Sequence, residues 1–316
     1  MEATPCTGSD HSDLVLVNPT AGGGLARTIL PRLREFAKQY CWNVSFCVTE
    51  SPNDLAEKAR AAAQSGRKRI FVVGGDGTFH VLINAVADYP GAVLAVLPAG
   101  GGNDLAAALG LPGDPIEAAK RVLKGEVRLL DVAHVSTADG NERRYVGGGG
   151  VGLDTEAVRH ANGRYRNLRG RTRYVLSALR ALAGFRPIRM RITSRAKEFE
   201  PLEATVLLVA VLNTPSYGAG MYLAPNAGIE DGQLDLVLVE DLKAFEVLRI
   251  LPGLLSRGEL PSNHVRRFRI ACARIETDTP CWFHGDGELI GKTPVEVSVI
   301  PGAVRVLRAA RDAPQS

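Results

Sequence analysis

Apolar residues in the first third of the chain come in short runs separated by helical stretches. Residues 14–17, 44–48, 70–73 and 93–97 are four to five residues long, rich in Val, Leu and Ile, and read as buried strands. Between them, 25–40 and 54–65 read as helices; in the second, Leu55, Ala59 and Ala62 recur at helical spacing. A further helix is predicted after Thr78. This alternation predicts a parallel, doubly wound α/β sheet, on which ligands sit beyond the carboxyl ends of the strands.

The pattern changes near Asp131. Runs at 206–212, 234–239, 269–275 and 295–300 read as strands separated by glycine, proline and polar turns. Helices become fewer, with 174–183 and 245–255 the best candidates. The chain thus divides into an α/β domain over 1–132 and a mainly antiparallel β domain over 133–301.

Three loops at the ends of predicted strands carry the chemistry: Asn18-Pro19-Thr20-Ala21-Gly22-Gly23-Gly24, Gly74-Gly75-Asp76-Gly77-Thr78 and Gly100-Gly101-Gly102-Asn103-Asp104. Glycines let backbone N–H groups approach an anion, and a following helix adds its dipole. The second and third loops each bear a carboxylate, and phosphate plus carboxylate points to a metal–nucleotide site. Neither loop is a Walker A or a G-x-G-x-x-G fingerprint. Three such loops at one sheet edge are more than tight turns require.

Composition sets limits rather than adding chemistry. Hydrophobic content of 45% and charged content of 23% are those of a globular protein, and a net charge of +4 does not argue for nucleic acid. The five cysteines, at 6, 41, 47, 272 and 281, form no C-x-x-C pair, as expected for free thiols in a reducing compartment. The first dozen residues show no apolar segment of a signal peptide, and no apolar run reaches transmembrane length. The expected location is cytoplasmic, with peripheral contact at the inner membrane as an option.

That option comes from 157–197. Eleven arginines and Lys197 stand there with no Asp or Glu among them. Two readings stay open: a solvated face, or a patch for an anionic surface in which Tyr165, Tyr174, Leu176, Leu179 and Leu182 supply the apolar side.

Taken in order, the motifs resemble those of the diacylglycerol kinase catalytic-domain family of lipid kinases, which is related to sphingosine and ceramide kinases. The resemblance runs from about Leu14 to Leu307. It rests on Asn18-Pro19 and the glycines after it, Gly74–Thr78, and Leu97-Pro98 leading to Gly102-Asn103-Asp104. It continues through Gly218-Ala219-Gly220-Met221, Ala224-Pro225-Asn226-Ala227, Asp231-Gly232-Gln233-Leu234-Asp235, Asp286-Gly287-Glu288 and Pro294. It departs at Gly101, where the family usually has threonine, and at Phe79-His80-Val81, where Leu-Asn-Glu is common.

The resemblance implies an ATP-binding first domain, completed by a return segment over 302–316, and a lipid-binding second domain with the active site in the cleft between them. Asn18, Thr49, Gly74, Gly75, Asp76, Gly77, Thr78, Gly100, Gly101, Gly102 and Asn103 would contact the nucleotide. Asp76, Asp104 and Asp131 match acids that organise Mg2+, partly through water. Asp231 matches a separate structural metal site, or else forms an ordinary Asp-Gly turn. Asp286 is the favoured general base, with Glu288 second; alternation places both on one side of an extended segment, while the plain alternative is a hairpin turn. His80, His264 and His284 form no metal set by spacing. The expected activity is ATP- and Mg2+-dependent phosphorylation of diacylglycerol or a related lipid, by a chain that could be a homodimer. A soluble-substrate kinase such as an NAD kinase and a non-catalytic nucleotide-binding regulator are the rivals.

Overall fold

The computed structural model describes residues 12–165, 168, 170–218, 220–240, 242, 246–249, 253 and 264–309. The chain forms two compact units, 1–130 with 302–316 and 131–301. The helix expected over 245–255 falls largely outside the described residues, as does Ala219.

The first unit is the predicted doubly wound sheet. Its strands are β1 (Asp13–Val17), β2 (Val44–Val48), β3 (Arg69–Gly74) and β4 (Val93–Pro98), and its helices α1 (Leu25–Gln39), α2 (Pro52–Gln64), α3 (Asp76–Ala85), α4 (Asp104–Ala108) and α5 (Pro115–Leu123). The order is β4-β3-β1-β2 with parallel pairing throughout. The chain moves outward from β1 to β2, then returns to the other side of β1 for β3. The sheet therefore has a topological switch point between β1 and β3, where α/β folds bind ligands. β1, β3 and β4 are buried almost throughout, as their continuous apolar runs require. Helix starts follow side-chain chemistry: Ser51 accepts from Asp54 N at 3.1 Å, and Asp114 accepts from Ile116 N and Glu117 N, each with proline at the next position. At the base of the sheet, Asp13 accepts from Trp42 Nε1 at 2.5 Å and from Arg69 Nε at 2.7 Å.

The second unit is antiparallel. It contains β6 (Glu142–Tyr145), β7 (Gly148–Gly152), α6 (Leu153–Asn162), α7 (Gly170–Leu182), β8 (Ile188–Thr193) and β9 (Leu202–Leu212). After the two-residue strands β10 (Ser216–Tyr217) and β11 (Met221–Tyr222) come β12 (Leu234–Glu240), β13 (Val265–Ile270), β14 (Cys272–Thr277), β15 (Trp282–Gly285) and β16 (Glu288–Lys292). Alternate residues of β9 enter two cores, Val206, Val209 and Val211 in one and Leu207, Ala210 and Leu212 in the other, so this strand is buried on both faces. Two long strands run across the boundary in sequence: β5 (Glu126–Thr137) and β17 (Val295–Arg308). The first part of β17 pairs with β14, and its last part adds a parallel strand beside β4.

One expectation needs correction here, and one element went unread. The single strand over 269–275 is two, β13 and β14, because Ala271 leaves the ladder: its N–H donates to Glu198 Oε1 at 2.5 Å and its carbonyl accepts from Val299 N at 2.8 Å. The glycine run that opens the second domain, to which the sequence assigned no element, is the buried strand β7. A Cβ at Gly149 would stand 2.5 Å from His284 O, and one at Gly152 would stand 2.4 Å from Leu207 O. Side-chain periodicity cannot announce a strand made almost wholly of glycine. Among the described residues, Cys41, Cys47, Cys272 and Cys281 are free thiols.

Two stability outcomes follow. Asp13→Ala strands the buried Trp42 indole N–H and frees Arg69, so urea denaturation is expected to show a loss of about 1–3 kcal/mol; an unchanged midpoint would remove this cluster from the account. Asp235 is buried on β12, and burial raises its carboxyl above the ordinary 3.8, opposed by Arg269 and Arg267 and reinforced by Asp231. Since the folded state holds this proton to higher pH than the unfolded chain, the stability from Asp235 is complete below the ordinary value and is lost as pH rises through the raised one. Asp235→Asn should therefore raise Tm more at pH 7 than at pH 3.5, and an equal shift at both would contradict the assignment.

Candidate active site

In the first unit the three glycine-bearing loops touch one another. Asn18 N donates to Val73 O at 3.1 Å, which starts the first loop beside the end of β3. Asn18 Nδ2 then donates to Thr78 Oγ1 at 3.0 Å, while Asn18 Oδ1 accepts from the Thr20 N–H and hydroxyl. Gly22, with φ of 59°, approaches the third loop so closely that a Cβ would stand 2.3 Å from Ala99 O. Gly75 and Gly100 meet backbone to backbone: a Cβ on Gly75 would lie 2.8 Å from Gly100 Cα, and one on Gly100 would lie 2.5 Å from Gly75 Cα. No side chain fits between these loops, so their surface is peptide groups.

Two acid-derived residues lock the arrangement. Asp76 opens α3, yet its carboxylate accepts from the first N–H groups of α4, Asp104 N at 3.2 Å and Leu105 N at 3.1 Å. It thus acts as a cap for a different helix. Asn103 adopts the left-handed conformation at φ 59°, and its amide closes on Gly100, accepting from Gly100 N at 2.9 Å and donating to Gly100 O at 3.1 Å. Asp104 is buried, Gly101 and Gly77 are at least partly open, and Gly102 lies between. Thr49 is 3% exposed and donates its hydroxyl to Val17 O at 3.1 Å, a bond within the sheet end. Of the departing residues, His80 is buried in α3.

The second unit holds the remaining acids. Asp131 is 2% exposed; Oδ2 accepts from Gly232 N at 2.6 Å, and its own N–H donates to Ile229 O at 2.8 Å. Asp231 accepts from Gln233 N at 3.1 Å and is paired with the Arg269 guanidinium. The Arg269 guanidinium therefore stands beside the Asp231 carboxylate, and Asp231 with Gly232 forms the turn before β12. Among the described residues, no three or more His, Cys, Asp or Glu side chains are grouped to hold a metal ion.

The extended-segment expectation for Asp286 and Glu288 is wrong. Asp286 and Gly287 are the two-residue turn between β15 and β16, at φ 50° and 83°. An Asp-Gly pair adopts left-handed angles readily, and so makes the hairpin. The turn does not leave Asp286 idle. Its carboxylate accepts from Val146 N at 3.0 Å, Gly147 N at 2.8 Å and Gly148 N at 3.3 Å. Glu288 begins β16 and is exposed. Beside the turn, His284 Nε2 lies 3.1 Å from Asp154 Oδ2, which Tyr217 also approaches at 3.4 Å. Neither Asp154 nor Tyr217 carried a signal that the sequence reading used, because their roles depend on contacts across the sheet.

The basic run is less bare in space than in sequence. Arg189 pairs with Glu203, Arg195 with Glu296 and Arg159 with Glu156, and register sets Arg191 opposite both Glu203 and Glu276. Arg173 donates to Ala161 O and Asn162 Oδ1, and Asn162 in turn donates to Gly287 O at 2.9 Å, bracing the Asp286 turn. Arg164, Arg180 and Arg186 are exposed, along with Leu168 and Leu176. Arg166, Arg169 and the Arg171 side chain lie outside the described residues. Among the described residues, no helix is long and apolar enough to cross a membrane.

Comparison with known proteins accounts for both units. The family model described as the diacylglycerol kinase catalytic domain matches residues 13–135. The model described as the YegS C-terminal NAD kinase beta sandwich-like domain matches residues 148–308. A diacylglycerol kinase of Mycobacterium tuberculosis is 29% identical over 296 residues, covering 93% of this chain and 94% of that one. A diacylglycerol kinase of Bacillus subtilis is 26% identical over 284 residues, covering 89% and 91%. A solved Bacillus anthracis structure shares the fold at a TM-score of 0.78 with 24% identity, covering 94% of this chain and 96% of its own. The chain therefore belongs to the diacylglycerol kinase catalytic-domain family of lipid kinases and is a phosphotransferase with an alcohol group as acceptor.

Proposed function

We propose that this protein transfers the γ-phosphoryl group of ATP, with Mg2+, to a hydroxyl of diacylglycerol or a closely related lipid. The observation that carries the nucleotide half is the Gly75–Gly100 contact at the switch-point edge of the sheet. It leaves a peptide-lined surface of the kind that receives phosphate. The names of the Mycobacterium tuberculosis and Bacillus subtilis relatives support the acceptor.

Phosphoryl transfer asks a protein mainly to position groups and stabilise charge. In this reading the backbone of 74–78 and 100–102 cradles the phosphates, with Asn18 holding Thr78 in place. In the first unit, Asp76 and Asp104 would offer carboxylate oxygens to Mg2+, a cation that prefers oxygen and keeps several waters. When bound, Mg2+ neutralises charge on the transferring phosphates. Asp286 is assigned as the base that takes the proton from the acceptor hydroxyl. Three backbone N–H groups fix its carboxylate, whereas Glu288 has an exposed position on the next strand. The exposed Arg164, Arg180 and Arg186 would favour anionic lipid by about 1 kcal/mol each near the surface.

The test is transfer from γ-labelled ATP to a lipid panel in mixed micelles, run beside NAD. Label is expected in diacylglycerol or a relative, and label in NAD alone would replace the lipid reading with a soluble kinase. Asp286→Asn should lower kcat by about 10²–10⁴-fold while ATP still binds; a variant with full activity would shift the base to Glu288. Removing divalent cations with EDTA should abolish transfer, and Mg2+ should restore it. Transfer that persists in the chelator would remove the cation from the mechanism.

A further inference from the structure

Asn213 lies at the end of β9 with no exposed surface. Its amide nitrogen donates to Asp131 O at 2.9 Å and to Val146 O at 3.0 Å. Its backbone N–H donates to Gly147 O at 2.8 Å, which Thr214 N also reaches at 3.2 Å. The peptide groups that receive these bonds are the ones that hold Asp286. The carbonyl of Val146 belongs to the same peptide as Gly147 N–H, which donates to Asp286 Oδ1 at 2.8 Å. The carbonyl of Gly147 belongs to the same peptide as Gly148 N–H, which donates to the same oxygen at 3.3 Å. Each peptide is thus gripped on its oxygen side by residue 213 and presents its hydrogen side to Asp286.

Such chains polarise each peptide, strengthening the outer bond, and they fix the plane in which the N–H points. The other hydrogen of the Asn213 amide holds the backbone of Asp131, whose carboxylate is set against Gly232 N. The arrangement carries a cost that packing alone does not explain. Asn213 Oδ1 is buried with no hydrogen-bond partner among the described residues. An orphaned buried acceptor costs about 1–3 kcal/mol. An apolar side chain would avoid that cost but would give up both bonds to backbone carbonyls.

We propose that Asn213 is a positioning residue that sets the orientation of Asp286 and Asp131 together through a single buried amide. The proposal rests on the kinase reading for its effect on turnover, but its structural content does not. Asn213 does not touch a reacting atom; it acts through the Val146–Gly148 backbone.

The test uses the full chain with Asn213→Ala, Asp286→Asn and the double variant, and Thr155→Val as a comparison. Thr155 donates to Gly150 O at 3.1 Å, so its loss removes a buried bond to the same strand without touching either acid. Asn213→Ala should lower kcat by about 10–100-fold with KM for ATP nearly unchanged, the size expected for a small misplacement of a reacting group. The loss in the double variant should be smaller than the product of the two single losses, because the part of the Asn213 effect that runs through Asp286 is already gone. Thr155→Val should keep wild-type kcat. Hydrogen exchange should show faster exchange at Gly147 in Asn213→Ala, because the side-chain bond to the Val146 carbonyl of that peptide is lost. If the alanine variant does not fold, Asn213→Ser, which keeps one donor, takes its place with a smaller loss. Losses that multiply in full in the double variant, or unchanged exchange at Gly147, would overturn the proposal. If the wild type phosphorylates no lipid, the kinase reading fails, and the exchange data alone decide the coupling.

Discussion

Gly75 and Gly100 meet Cα to Cα at the carboxyl edge of the first sheet, and the rest of that edge is arranged to permit it. Two loops can approach so closely only where neither carries a side chain. Once they do, the neighbouring residues act as fasteners. Asp76 caps the helix beyond the other loop, Asn103 folds back on Gly100, and Asn18 ties the first loop to Thr78. A surface of peptide groups held this firmly does not have to reorganise around a phosphate, and preorganisation of this kind is where binding sites gain most.

The second unit solves a similar problem with a different device. A carboxylate needed at a hairpin tip would ordinarily swing with its turn. Here three consecutive N–H groups receive Asp286, and the glycine strand that supplies them lies between β9 and β15. Gly147 has to lack a side chain, since a Cβ there would stand 2.9 Å from Asp286 Oδ1. Both units therefore use glycine for close approach, one of loop to loop and the other of backbone to carboxylate.

The first unit was legible because β1, β3 and β4 are buried almost throughout and write continuous apolar runs between helical stretches. The glycine loops were legible for a related reason: each follows directly on one of these strands. What stayed hidden depends on distant backbone. Strand β7 has no side-chain period to read, and the turn at Asp286 looked extended because alternation says nothing about the sign of φ. The charge of 157–197 seemed uninterrupted because its acids, Glu203, Glu276 and Glu296, arrive from other strands. Asn213 gave no signal at all, since a buried asparagine declares itself only through the carbonyls it meets.

Strand β17 has a consequence for how the protein is made. Arg305 and Val306 supply the strand beside β4, yet the ribosome adds them after the whole segment 131–301. The nucleotide unit therefore emerges with an unpaired strand edge and waits through more than half of synthesis for its last ladder. Such an edge is a template for mispairing with other chains. Chaperone contact during translation has a defined place to act here, and truncation near residue 300 would leave a first unit exposed at β4 whatever the state of the second.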